Sequence, residues 1–146
     1  MNVPVFRLAM LLVWCSLPLC AQNLAGTWRL TLATEVRPNG DHVAMFGQKP
    51  RGLLMYDAKG YVSMQIELDG KTIDGMSNWS HFGKYKVDPD GGTVTHEIGG
   101  STRQRERGGF VLLFVTLDGK RLTLGLLPDQ VDGEIRLRTL AWERID

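Results

Sequence analysis

Apolar and polar residues alternate along most of this chain, and the alternation is plainest between Gly52 and Leu68. Leu53-Leu54-Met55-Tyr56 runs into Asp57-Ala58-Lys59-Gly60, then Tyr61-Val62-Ser63-Met64-Gln65-Ile66-Glu67-Leu68. Four turn-forming residues, with Gly60 free to take positive φ, predict two strands folded back on each other. A loop of that length sets Tyr56 opposite Tyr61 and Met55 opposite Val62. One face then carries Leu53, Met55, Val62, Met64, Ile66 and Leu68, and the other Leu54, Tyr56, Tyr61, Ser63, Gln65 and Glu67. A dry face and a mixed face predict an antiparallel sheet with one side turned to a core.

The same period recurs on both sides of this hairpin. Trp28, Leu30 and Leu32 alternate with Thr27, Arg29 and Thr31, and Val94, His96 and Ile98 alternate with Thr93, Thr95 and Glu97. Strands are expected over His81 to Asp88, Phe110 to Leu117, Arg121 to Leu127 and Glu134 to Arg144, with a tight Asp118-Gly119 turn. Asp69 to Ser80 breaks the alternation and reads as a lid-like loop, with Gly75 weakening any helix. About eight strands in simple succession, joined by hairpin-length connections, predict an all-β fold: a single antiparallel up-and-down β-barrel. Closing the barrel would also remove exposed edges.

Met1 to Ala21 reads as a signal peptide. Arg7 supplies the positive start, Leu8 to Leu19 the apolar run, and Leu19-Cys20-Ala21 a cleavage site. The run falls short of the ~20 apolar residues a membrane span needs, so no stable membrane insertion is expected after cleavage. Two rival readings are a retained N-terminal helix and lipidation at Cys20, the latter disfavoured by the bulky Leu19 before it. The domain of interest is therefore 22–146, and the expected location is periplasmic or secreted. Cys15 and Cys20 both fall in the leader, so the mature chain would hold no disulfide or thiol nucleophile. Losing Arg7 takes Lys plus Arg from 17 to 16, against 16 Asp plus Glu. That balance argues against nucleic acid as the main partner.

Several segments, in order, resemble the bacterial lipocalin-like domain family. They are Gly26-Thr27-Trp28-Arg29-Leu30, Phe46-Gly47 through Pro50, Gly52 to Tyr56, and Gly60-Tyr61-Val62-Ser63. Gly83-Lys84-Tyr85, Thr93-Val94-Thr95-His96, Leu117 to Leu124 and Trp142-Glu143-Arg144 continue the likeness across nearly the whole mature chain. The resemblance implies a small barrel with a ligand-sized interior, and no single activity, since such barrels include carriers, inhibitors and a few enzymes. Two features depart from the pattern. Phe110 to Val115 is apolar where relatives carry polar residues. In lipocalins proper a last-strand Arg covers the first-strand Trp, yet alternation groups Arg144 with Arg136 and Arg138, opposite Ile135 and Leu137. On this reading Arg144 reaches Trp28 only through a bulge near Leu140.

The inward set expected from alternation is Trp28, Leu30, Met55, Val62, Met64, Tyr85, Val94, His96, Leu122 and Leu124, joined by Phe110 or its neighbour Val111. Such a lining suits a small hydrophobic or amphipathic molecule, with Tyr85 and His96 as polar handles. Core packing accounts for the same residues without any ligand. His96 stands out because an enclosed imidazole must find a hydrogen bond. His42, His81 and His96 lack metal-ligand spacing, and no cofactor motif, phosphate-binding loop or Gly-x-Ser-x-Gly elbow is present. Arg103, Arg105 and Arg107 read as a solvated loop before they read as an anion-attracting rim.

The residues thus favour an exported binding protein for a small hydrophobic ligand over an enzyme. The alternatives are an isomerase or cyclase in which His96 or Tyr85 moves a proton, and an inhibitor or interaction module. A strand apolar on both faces, Phe110 to Leu117, also requires a cover, for which the Asp69–Ser80 loop, the N-terminal segment or a second subunit in a homodimer would serve.

Overall fold

The computed structural model describes residues 23–131 and 133–146, so the leader expected over 1–21 lies outside the described residues. In chain order the strands are β1 (Gly26–Val36), β2 (His42–Ala44), β3 (Arg51–Tyr56), β4 (Tyr61–Glu67), β5 (Asn78–Asp88) and β6 (Thr93–Ser101). A 3-10 turn (Gln104–Glu106) leads to β7 (Phe110–Asp118), β8 (Arg121–Leu126), β9 (Asp129–Val131) and β10 (Glu134–Arg144). Eight of these, β1, β3, β4, β5, β6, β7, β8 and β10, pair antiparallel in succession, and β10 returns to β1. The result is a closed up-and-down β-barrel of the lipocalin-like kind. Short β2 and β9 extend one rim, pairing with the end of β1 and the start of β10.

One end of the barrel is packed shut. Trp28 is fully buried, and its indole Nε1 donates to the Leu24 carbonyl at 3.0 Å. The Arg144 guanidinium lies 4.2 Å from the Trp28 ring centre and donates to the carbonyls of Ala25 (2.6 Å) and Asn23 (3.0 Å). The chain before β1 is thereby strapped across the barrel floor. Above it Leu30, Leu54, Val94, Leu122, Leu124 and Trp142 fill the interior. Each such fully buried apolar side chain contributes about 1.5–3 kcal/mol.

Arg144 reaches Trp28 without any bulge near Leu140. Arg136, Arg138, Leu140, Trp142 and Arg144 all face inward by strict alternation, and it is Ile135 and Leu137 that face solvent, 61% and 50% exposed. The register irregularity falls instead in β1, between Leu30 and Leu32. It turns Leu32 outward and brings Ala33 and Glu35 in.

The central hairpin differs from expectation by one residue. Asp57 still belongs to the ladder, its backbone N–H donating to the Tyr61 carbonyl, so Tyr56 pairs with Val62 and Met55 with Ser63. Strand β4 keeps its expected inner face, but β3 is inverted: Leu54 and Tyr56 are buried while Leu53 and Met55 face out. The Asp57 carboxylate accepts from Lys59 N and Tyr61 N, which stabilises the tighter turn. In β7 Leu113 is buried and Val111, Val115 and Leu117 pack against the core, so Val111 joins the interior and Phe110 points outward, 76% exposed.

Candidate functional site at the open end

The opposite end carries inward side chains of a different character. Glu35, at the end of β1, is buried and accepts from Arg136 Nη1 (3.1 Å) and Arg138 Nε (2.9 Å). Arg138 Nη1 also reaches Asp129 at 2.7 Å. Burial raises the Glu35 pKa, but the Arg138 hydrogen bond and the charges of Arg138, Arg136 and Arg37 outweigh that and hold it below the usual value. Three arginines around one carboxylate explain how β10 keeps charged residues on its inner face.

Beside this cluster sits an apolar wall. Phe46 and Trp79 are buried and meet edge to face, ring centres 6.0 Å apart. Phe46 is held by the tight Gly47, φ 95°, whose Cβ position is occupied by the Asp69 carbonyl. With Met45, Ile73 and Leu126, these rings and Glu35, Arg103 and Arg138 enclose a cavity of about 380 Å³. That is within the range of small-molecule sites.

Two loops close over it. The loop expected over Asp69–Ser80 ends at Ser77, because Asn78–Ser80 pair with β4 as the start of β5; it turns at Asp74 and Gly75, both at positive φ, and Ile73 pairs with Met76. Asp74 accepts from Arg103 at 3.2 Å, tying this loop to the one after β6. Arg103 is not a solvated side chain: its guanidinium lies 5.4 Å from the Trp79 ring centre and donates to Glu106 at 2.8 Å. Glu106 also accepts from Trp79 Nε1 (3.1 Å) and Ser101 Oγ (2.9 Å). Arg105 is the exposed member of the trio, and Arg107 donates to the Ser101 carbonyl.

Beneath Trp79 a chain of buried polar groups descends into the core. His81 Nε2 lies 2.9 Å from His96 Nδ1, and His96 Nε2 lies 2.7 Å from the Tyr56 hydroxyl. All three side chains are at most 3% exposed. Burial lowers the His81 pKa to about 4, against a smaller opposing pull from Glu106. Burial and then the neighbouring His81 lower His96 to about 3. Burial likewise raises the Tyr56 pKa well above its ordinary value. At neutral pH the chain is uncharged throughout. Among the described residues His81 Nδ1 has no hydrogen-bond partner; nor does Trp142 Nε1, deep in the packed end.

The eight side chains singled out from sequence fall elsewhere than the cavity. Trp28, Leu30, Met64 and Leu124 are interior but belong to the packed core. Met55 is 41% exposed because β3 is inverted, and Phe110 faces solvent because Val111 takes the inner position. Tyr85 is half-buried near the closed end, its hydroxyl donating to the Asp57 carbonyl at 2.8 Å and its ring 4.6 Å from that of Tyr56. His96 is enclosed and hydrogen-bonded as expected, with Tyr56 and His81 as partners the sequence reading did not join to it. The signal for His81 was available, since it shares strand parity with Tyr85. Among the described residues no group of three or more His, Cys, Asp or Glu is placed to hold a metal ion.

A second groove, of about 510 Å³, is lined by Ser63, Gln65, His81, Phe82, Ser101 and Arg107. The open end is the stronger site, because inward-facing apolar and charged side chains converge there. Comparison with protein-family models, curated proteins and solved structures gives no match.

Proposed function

We propose that this chain is an exported lipocalin-like binding protein that holds one small hydrophobic or amphipathic molecule at the open end of its barrel. The observation that carries the reading is the convergence of Phe46, Trp79, Ile73 and Leu126 with the Glu35–Arg138 pair around a cavity of about 380 Å³. An apolar body packs against the rings, and a polar end meets the charged cluster; burial supplies affinity and the polar groups fix orientation.

The acidity of the buried chain supports binding over proton transfer. A general base works best with a pKa near the operating pH, whereas His81 and His96 sit near 4 and 3 and Tyr56 is displaced upward. Near neutral pH the two imidazoles stay unprotonated at their second nitrogen and the Tyr56 hydroxyl stays protonated.

Titration with 1-anilinonaphthalene-8-sulfonate, followed by its fluorescence, tests the reading. Saturable one-to-one binding is expected, weakened about tenfold or more by Leu126→Glu, which places an unpaired charge in the apolar wall. Absence of saturable binding, or binding indifferent to that substitution, contradicts it.

A further inference from the structure

The second groove crosses three strands that pair in succession. Ser63 and Gln65 of β4, Phe82 of β5 and Gly100 of β6 line it, and Arg107 stands at its edge. Its volume, about 510 Å³, is that of a small-molecule site. Phe82 pairs with Gly100, and its ring fills the place of the missing side chain: a Cβ on Gly100 would meet Phe82 Cζ at 2.6 Å. A glycine within a strand marks a close approach, here by an aromatic ring. The ring is thereby seated on neighbouring backbone, yet Phe82 stays 62% exposed. A ring held in this way presents an apolar surface that binding does not have to order.

Arg107 is fixed as well. Its Nε donates to the Ser101 carbonyl at 2.7 Å, its own N–H donates to the Gln104 carbonyl, and the next N–H, of Gly108, donates to the Ile98 carbonyl. Among the described residues neither Nη group has a partner. Most other arginines lie against a carboxylate, as Arg29 does on Glu143, Arg51 on Glu67 and Arg138 on Glu35; Arg107 does not. It is also the one charged side chain lining the groove, since burial keeps His81 neutral. Ser63 and Gln65 add neutral hydrogen-bonding groups, so no lining side chain repels an anion. With Nε occupied, the two Nη groups present the end-on fork that matches the two oxygens of a carboxylate. One carboxylate balances one guanidinium, whereas a phosphate dianion leaves a charge over.

We propose that this groove is a second binding site, for a small aromatic carboxylate whose ring packs on Phe82 and whose two oxygens meet the Arg107 fork. The groove and the open-end cavity share no lining residue, so the site stands apart from the binding reading above and does not depend on it. Of the three arginines after β6, Arg103 is spent on Asp74 and Glu106, while Arg107 is left to read an anion from outside the chain.

A matched pair of probes, 2-naphthoate and 2-naphthamide, differs in charge but hardly in shape, and nitrogen-15 spectra locate where each binds. 2-Naphthoate should shift the Gly100 backbone amide and the Gln65 side-chain amide saturably, with an affinity about fivefold or more above that of 2-naphthamide. Arg107→Gln should abolish that preference, and Phe82→Ser should weaken both compounds alike. Because Arg107→Gln also breaks the bond to Ser101 and could move the loop, salt gives a second readout in the unsubstituted protein. The preference should shrink toward parity at about 1 M salt, where the Debye length is about 3 Å. No saturable shift at those two amides, equal affinities for the two probes, or a preference that survives Arg107→Gln or high salt overturns the proposal. N-acetylglycylphenylalanine carries the same two groups at a chain end, and its binding more tightly than 2-naphthoate would overturn the small-molecule assignment. The Trp79 indole reports on the open end separately, so failure at the groove leaves the reading there standing.

Discussion

His81 Nε2 sits 2.9 Å from His96 Nδ1, joining two strands through a pair of neutral imidazoles inside the barrel. The contact exists because both positions share the inner face and because β5 and β6 pair with an irregularity at Phe82/Gly83. Its consequences for stability follow from burial.

Stability should fall on mild acidification. Both imidazoles titrate near 6.5 when unfolded, but at about 4 and 3 in the folded chain. The unfolded chain therefore binds more protons below pH 6.5, and stability present above that pH is lost as pH falls toward the folded values. Between pH 7 and 5 the pair should cost about 2–4 kcal/mol, read from urea unfolding midpoints. Glu35, its folded pKa lowered by its arginines despite burial, adds a further loss only below about pH 4.5. A flat profile from pH 7 to 5 would show that the histidines are not buried neutral.

Tyr56→Phe removes the hydroxyl partner of His96 Nε2 and leaves a buried ring nitrogen unmatched. A loss of about 1–3 kcal/mol is expected in chemical denaturation. An unchanged midpoint would mean that the hydroxyl contributes nothing to the chain.

At Gly83 a Cβ would fall on the Glu97 carbonyl oxygen, beside the irregularity in the β5–β6 pairing. Gly83→Ala should cost about 1–3 kcal/mol or more through forced backbone movement. Gly125→Ala is the control: its added methyl meets Phe114 Cβ at an ordinary 3.5 Å. Similar thermal midpoints for the two variants would contradict the close approach.

Arg144→Met deletes the cation above Trp28 and both hydrogen bonds to the segment before β1. A loss of about 1–3 kcal/mol is expected, with faster exchange of the Trp28 indole proton, which is otherwise held by the Leu24 carbonyl. Exchange as slow as in the parent would show that the floor holds without the strap.

The barrel was legible because β4, β6 and β8 each alternate cleanly between apolar and polar residues. Strand β3 was not, since Leu53 to Tyr56 is apolar on both faces and its phase rested on the length of one turn. When Asp57 stayed in the ladder, Met55 went out and Tyr56 came in. In β10 polarity pointed the wrong way. Arg136 and Arg138 look like solvent residues until Glu35, a hundred residues earlier, is seen to neutralise them. The open end was hidden for a related reason: Phe46 and Arg103 come from loops where no period applies, Trp79 from the start of β5, which reads as loop in the sequence, and only three-dimensional closure brings them together.

The indole protons of Trp28 and Trp142 report on the packed end and that of Trp79 on the open end. A nitrogen-15 correlation spectrum taken during titration with 2-ethylnaphthalene addresses the central claim most directly. The Trp79 signal should shift saturably while those of Trp28 and Trp142 hold still. No shift of Trp79 at saturating hydrocarbon, or equal movement of all three, would contradict a ligand site at the open end.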